Sequence, residues 1–344
     1  MKKFVSLFAL ALSVVQTQTA FACTDFAVSS KDGGIVIGRS MEWGADLGSR
    51  INYYPANQKR SSTAPNNKTG KEWTSKYAYF GIDVNKQDLV IDGLNDQGLS
   101  MGMLWYPPAV YQTLSDKDAP NAVSVFDLGF YILGNFKTVA EVEHDLQTTK
   151  IWGEPDPKWP LKPAVHLALH DASGKNLVVE FVDGQILCHD NPNSVLTNTP
   201  DFPWHITNLS NYISLTPDTP TPLHVRGSVL SPNGQGGGFV GIPGDWTPPS
   251  RFVRTSCMLT YADQSNTSKD SIILAQHILN AVDIPKGDIR DKSTGYNDYS
   301  QWSVIKDLKN KKLYYRSYDN LSLRSLDLND HKTGRNPEPV AMNE

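Results

Sequence analysis

The sequence predicts an α+β fold built on antiparallel sheets in a single domain. Apolar–polar alternation broken by Gly-containing turns recurs toward both ends of the chain. Apolar residues at helical spacing lie between those strand pairs, and no linker interrupts the run. At 344 residues, 39% hydrophobic and 10% aromatic, the chain is long enough to bury about three quarters of its unfolded surface.

The elements follow in order. Thr24 to Ser30 alternates as a strand, Lys31-Asp32-Gly33-Gly34 supplies a turn, and Ile35-Val36-Ile37 returns. Leu89-Val90-Ile91 leads to the turn Asn95-Asp96-Gln97-Gly98 and then to Leu99–Tyr106, a second hairpin. The spacing predicts a helix over Val123–Asn135, and Thr138-x-x-Glu141 is a capping box opening a short helix through Leu146. Strands are expected at Ala164–His170, Asn176–Val182 and Gln185–His189, joined by Asp171-Ala172-Ser173-Gly174 and Asp183-Gly184. Residues 214–250, rich in Pro and Gly, read as an ordered loop. A helix is expected over Ser271–Val282, and a closing strand pair at Trp302–Leu308 and Leu313–Tyr318.

Composition removes several function classes. Lys+Arg is 32 against Asp+Glu 36, a net charge of −4, so nucleic-acid binding has no electrostatic support. Abundant aromatics and a 20% charged fraction exclude a disordered chain. One apolar run stands clear, at the N-terminus, which excludes a multi-span membrane protein.

That run reads as a signal peptide over residues 1–22. Lys2 and Lys3 form a positive n-region, Phe4 to Val15 an apolar core too short to span a bilayer, and Ala20-Phe21-Ala22 a small-x-small cleavage site. The expectation is a periplasmic or secreted protein with no stable membrane insertion after cleavage. Cutting after Ala22 makes Cys23 the first mature residue. Lipidation is the alternative at such a junction, but Ala20 and Phe21 stand where a lipobox wants Leu and a small residue. Of three cysteines, Cys188 and Cys257 either bridge in an oxidising compartment or are small buried hydrophobes.

An N-terminal cysteine is a nucleophile and a base in one residue, because its α-amine, with an ordinary pKa of about 8, can take the thiol proton. Gly38-Arg39-Ser40-Met41-Glu42-Trp43 ends the return strand, so antiparallel pairing brings it beside Cys23. An isolated Arg39 and Glu42 would ordinarily be a solvated pair; their place opposite Cys23 singles them out. Asn198, in Leu196-Thr197-Asn198, is either turn chemistry or an oxyanion donor. Arg251, in Pro249-Ser250-Arg251-Phe252-Val253-Arg254, says little alone. Gly236-Gly237-Gly238-Phe239-Val240-Gly241 lacks the strand–turn–helix setting of a dinucleotide loop. His166 and His170 have no third ligand nearby, so no metal is expected.

Taken together, Cys23-Thr24, Gly38-Arg39-x-x-Glu42-Trp43, Asn95-x-x-Gly98-Leu99, Leu196-Thr197-Asn198, Gly241-Ile242-Pro243-Gly244-Asp245 and Pro249-Ser250-Arg251-Phe252-Val253-Arg254 resemble the choloylglycine hydrolase family of bile salt hydrolases and penicillin V acylases. The resemblance runs over nearly the whole mature chain, 23–344. It implies an N-terminal nucleophile hydrolase with a four-layer αββα sandwich of two antiparallel sheets, acting on a small-molecule linear amide without a cofactor. By position it makes Cys23 the nucleophile, Arg39 the arginine beside it, Asn198 an oxyanion donor and Arg251 an arginine of the active centre. Trp105 takes the place whose backbone N–H completes the oxyanion hole. A homotetramer is the family expectation.

Two positions depart from the better-known members. Glu42 stands where many carry Asp, so its hydrogen bond to the amine is reached differently. Trp105 stands where bile salt hydrolases have Asn and Gram-positive penicillin V acylases Tyr. With Trp43 it gives the pocket two indoles, suited to a phenoxyacetyl group or an alkyl chain. This pattern resembles the exported Gram-negative branch, whose penicillin V acylases also deacylate N-acyl homoserine lactones. The alternative is release of glycine or taurine from conjugated bile salts; an inactive binding protein or lipoprotein on the same fold is a third reading.

Overall fold

The computed structural model describes residues 22–154, 163–292, 295, 297–331 and 338–343. The expected signal peptide therefore lies outside the described residues apart from Ala22.

The chain opens with β1 (Cys23–Ser29), β2 (Ile35–Trp43), β3 (Arg50–Tyr54), β4 (Lys59–Ala64), β5 (Lys68–Thr74), β6 (Tyr79–Ile82), β7 (Asp92–Asn95) and β8 (Ser100–Trp105). After β9 (Ala122–Ser124) come α1 (Leu128–Asn135), α2 (Val139–Asp145) and β10 (Lys150–Trp152). Four strands follow: β11 (Val165–His170), β12 (Asn176–Val182), β13 (Gln185–Asp190) and β14 (Val195–Leu196). Next are α3 (Phe202–Asn208), β15 (Leu223–Val225), β16 (Ser228–Leu230), α4 (Pro248–Tyr261) and α5 (Ser268–Asn280). The chain closes with β17 (Tyr299–Asp307), β18 (Lys312–Ser317), β19 (Arg324–Asp327) and β20 (Val340–Ala341).

Two sheets carry the fold, both antiparallel. The first has the order β14-β1-β2-β17-β18-β19, the second β13-β12-β11-β8-β7-β6-β3-β20. They meet where β1 packs on β8; α4 and α5 cover the first sheet, and α1 covers the second. The result is the α+β sandwich with helical outer layers that the sequence leads one to expect. Phe26, Val36, Ile37, Val304 and Phe252 are fully or almost fully buried in one core, and α1 packs Phe130 and Leu133 into another with Met101 and Leu167. Burial of such side chains stabilises by roughly 1.5–3 kcal/mol each.

The first hairpin forms where the alternation places it. Gly33 takes the positive φ of +78° that the tight turn requires. The register pairs Cys23 with Met41 and Asp25 with Arg39, and β17 then pairs Val304 with Arg39 and Ser300 with Glu42.

Several expectations are corrected. The helix predicted from Val123 begins only at Leu128, because Ala122–Ser124 pairs in parallel with Lys150–Trp152 and the Ser124 N–H is taken by Ser62 Oγ at 2.7 Å. The loop predicted over 214–250 contains the β15–β16 hairpin and ends in the first turn of α4, entered through Pro248 and Pro249. A proline in the first helical turn loses no hydrogen bond, so the pair starts the helix. The strands β3–β6 were not foreseen in sequence. Cys188 and Cys257 are both free and half-buried, on β13 and α4, rather than bridged or fully buried.

Candidate active site

Cys23 begins β1 at the edge of the intersheet core, 1% exposed. Its Sγ lies 3.6 Å from Arg39 Nη2 and receives the main-chain N–H of Trp105 from the facing sheet. Burial pushes the thiol pKa up; Arg39, the Trp105 N–H and Arg251 pull it back, while Glu42 adds to the rise. The resting group is therefore a thiol that needs a base, held where a thiolate would be stabilised as it forms.

Arg39 is held from behind. Its Nη2 donates to the Met103 carbonyl at 2.7 Å, and its Nε lies 3.9 Å from Asp92 Oδ2. Asp92 in turn takes Lys306 Nζ at 2.7 Å, with both side chains fully buried. Asp25, from the same face of β1, takes His170 Nε2 at 2.7 Å; burial raises its pKa, but His170 outweighs this and the carboxyl sits below its usual range. A methyl on Gly102 would stand 3.0 Å from Asp92 Oδ2, 3.3 Å from Asp25 Oδ2 and 3.4 Å from Arg39 Nη1, so only glycine leaves this cluster room. Sequence reading passes over Asp25, Asp92 and Lys306, and weighs His170 only as a metal ligand. The available signal was a charge inside an apolar strand pattern, Val90-Ile91-Asp92 and Val304-Ile305-Lys306.

Asn198 follows β14 and crosses to Cys23. Its Oδ1 accepts the Cys23 N–H at 2.8 Å and Arg251 Nη2 at 2.8 Å, and its Nδ2 donates to the Trp105 carbonyl at 2.8 Å. His205 of α3 donates Nε2–H to the Asn198 carbonyl at 2.9 Å; burial lowers its pKa to about 4, which keeps it the neutral donor.

Arg251 reaches the site from the first turn of α4. Asp245 fixes that turn by accepting the Thr247 N–H at 2.9 Å and the Ser250 hydroxyl at 2.6 Å. This accounts for the Gly-Ile-Pro-Gly-Asp segment ahead of Ser-Arg. Arg251 then donates Nη1 to the Cys23 carbonyl and to Thr24 Oγ1 at 2.7 Å, and Nε to the Trp246 carbonyl at 3.0 Å.

Glu42 is placed differently from expectation. It is fully buried, but its Oε1 accepts from Ser300 Oγ at 3.1 Å, and the Cys23 nitrogen is partnered by Asn198. Strand alternation sends its side chain to the face opposite Met41, toward α4. Its own N–H donates to the Ala22 carbonyl at 3.0 Å, so it remains beside the residue that precedes Cys23. Burial raises its pKa to about 7 against the pull of Arg251.

Trp43 and Trp105 meet edge to face, centroids 5.6 Å apart at 84°. They wall a pocket that opens from Cys23 and continues past Met41, Met103, Leu89 and Phe126. Among the described residues, every side chain along it is apolar apart from the thiol and the indole N–H groups. The residues expected to act together thus lie around one thiol, save that the Glu42 carboxylate sits behind the strand. The arrangement offers a thiol, an adjacent cation, an N–H donor at the sulfur and an apolar slot, the parts required for nucleophilic attack on an acyl carbonyl.

Residues 23–340 match the family model described as linear amide C–N hydrolases, choloylglycine hydrolase family. The chain is 32% identical over 311 residues to a bile salt hydrolase/transferase of Clostridium perfringens, covering 89% of this chain and 92% of that one. It is 30% identical over 262 residues to a penicillin V acylase of Pectobacterium atrosepticum, covering 73% and 62%. A solved structure of a conjugated bile acid hydrolase variant from Clostridium perfringens superposes with a TM-score of 0.81 at 29% identity, over 92% of this chain and 95% of that chain. A penicillin V acylase from Agrobacterium tumefaciens shares the fold at 0.73 and 24% identity, over 89% and 86%. The protein is a linear-amide C–N hydrolase and belongs to the choloylglycine hydrolase family.

Proposed function

We propose that the protein is an exported amidase that hydrolyses the linear amide of penicillin V, of N-acyl homoserine lactones, or of both, with Cys23 as nucleophile. The observation that carries this is the apolar slot between Trp43 and Trp105. A phenoxyacetyl group brings one weakly accepting ether oxygen into it, and a simple alkyl group no polar atom at all. A steroid bearing hydroxyls would bury them against apolar walls, at roughly 1–3 kcal/mol each.

Removal of residues 1–22 frees the Cys23 amine. That amine takes the thiol proton, and the thiolate attacks the amide carbonyl beneath the indoles. The Trp105 N–H and Asn198 Nδ2, which keeps a second hydrogen beyond the one given to Trp105, receive the oxyanion. Protonation by the ammonium releases the amine product and leaves a thioester. Water then cleaves the thioester, and the sulfur recovers its proton. Arg39 steadies the thiolate, Arg251 orients Asn198, and ionised Glu42 favours the ammonium form. No cofactor or metal enters these steps.

A second reading, conjugated bile salts, is favoured by the bile salt hydrolase relatives. The leader supports a periplasmic or secreted location. Leu223, Val229 and Leu230 on the β15–β16 hairpin are more than half exposed, an apolar surface suited to the self-association of a homotetramer. Intact mass and the activity of Cys23→Ala test the core of the reading. A mature chain starting at unmodified Cys23, with activity lost in the variant, is expected; an acylated Cys23 or an active variant rules the mechanism out.

A further inference from the structure

The first sheet reaches solvent on its rear face as well as through the acyl slot. Glu42 on β2 and Ser300 on β17 are cross-strand partners, and the Ser300 hydroxyl donates to Glu42 Oε1 at 3.1 Å. The same Oγ accepts the Ile284 N–H at 2.9 Å, and Asp283 lines the crevice beside Ser300. Asp283 Oδ2 takes Arg316 Nη2 at 2.8 Å and its side chain is one-third exposed. Ser300, Asp283, Arg316 and Tyr318 line a crevice of about 340 Å³, separate from the pocket that opens at Cys23. One hydroxyl therefore stands between a fully buried carboxyl group and a crevice that holds a second carboxylate.

We infer that Ser300 and Asp283 are positioning residues for the reaction, which together set the charge state of Glu42 from this rear crevice. The inference rests on the reading of Glu42 as the group that favours the Cys23 ammonium. Ser300 acts on Glu42 through the hydrogen bond to its Oε1, and Asp283 through the negative charge it holds beside Ser300.

The groups facing Glu42 act in opposite directions. Burial raises its pKa; Arg251 of α4 lowers it, as do the hydroxyls of Ser40 on β2 and Ser300 on β17, while Asp283, just beyond α5, raises it. Cys23 on β1 feels the Glu42 charge, and Arg316 of β18 partly neutralises Asp283. Together they bring Glu42 to about 7, where a change at Ser300 or Asp283 alters its charge near neutral pH.

The test is the pH dependence of kcat/KM for amine release by the mature enzyme and by Glu42→Gln, Ser300→Ala, Ser300→Thr and Asp283→Asn. Glu42→Gln should abolish the acid limb near pH 7. Loss of the Ser300 hydrogen bond should move that limb up by about one pH unit, from the value of a hydrogen bond to a charged group. Ser300→Thr should restore it, and Asp283→Asn should move it down. General damage to the fold would not shift the limb in opposite directions. If Glu42→Gln removes the limb but Ser300→Ala and Asp283→Asn leave it in place, the inference is wrong. If Glu42→Gln leaves the limb intact, the reading of Glu42 itself fails.

Discussion

Arg251 donates Nη2 to Asn198 Oδ1 at 2.8 Å and thereby decides which way the Asn198 amide faces. A guanidinium has only donors, so the atom it meets must be the oxygen, and the Nδ2 group is turned to Trp105. The same guanidinium holds the Cys23 carbonyl and Thr24 Oγ1. One residue of α4 thus fixes the nucleophile's main chain and the orientation of a candidate oxyanion donor.

Replacement of Arg251 by Lys keeps the charge but cannot span these acceptors. Arg251→Lys should lower kcat by about 100-fold, the scale of losing one oxyanion donor, with a much smaller change in KM. Steady-state kinetics check this; an effect confined to KM would show that Arg251 binds substrate without ordering Asn198.

Glu42 gives stability a pH dependence opposite to that of a paired surface carboxylate. Its folded pKa of about 7 lies above the ordinary 4.5. Between those values the folded state holds a proton that the unfolded chain has lost, so the contribution of Glu42 to stability falls as pH rises through the window. Glu42→Gln cannot titrate. The difference in Tm, variant minus parent, should therefore grow from pH 5 to pH 8; a difference that is flat or shrinks contradicts the raised pKa.

The Asp92–Lys306 pair is fully buried, and burial pushes the Asp92 carboxyl up while Lys306 and then Arg39 pull it down. Removing one partner strands the other charge. Lys306→Met or Asp92→Leu alone should each destabilise by about 3–5 kcal/mol, and the two together should cost much less than the two single changes added. Denaturant unfolding of the three variants measures the coupling. Additive losses would mean the pair does not act as a unit.

The sequence made the first hairpin legible because its register depends on a local turn. Gly33 and the alternation of Phe26 and Val28 were enough to bring Arg39 and Met41 beside Cys23. For Asn198 the residues left turn chemistry and an oxyanion donor both open, and Arg251 was identifiable only through resemblance, since their meeting depends on α4 crossing to β1, and two prolines disguised the start of that helix. The buried charges behind Arg39 were hidden for a related reason. Asp92 and Lys306 are 214 residues apart and pair only when the two sheets close. Glu42 was found by position, but the partner of its carboxyl, Ser300, lies across the strand pair and 258 residues away in sequence. Strands β4 and β5 alternate weakly, with few buried residues, and leave little trace in the pattern.

Release of primary amine by the mature enzyme tests the acyl-slot assignment most directly. The substrates are penicillin V, short- and long-chain N-acyl homoserine lactones, and glycine- and taurine-conjugated bile salts, with Cys23→Ala run in parallel. Amine should appear from penicillin V or the lactones and be absent with Cys23→Ala. Release from bile salts alone would contradict the account, because it would mean that the Trp43–Trp105 slot admits a hydroxylated steroid in preference to a flat or linear acyl group.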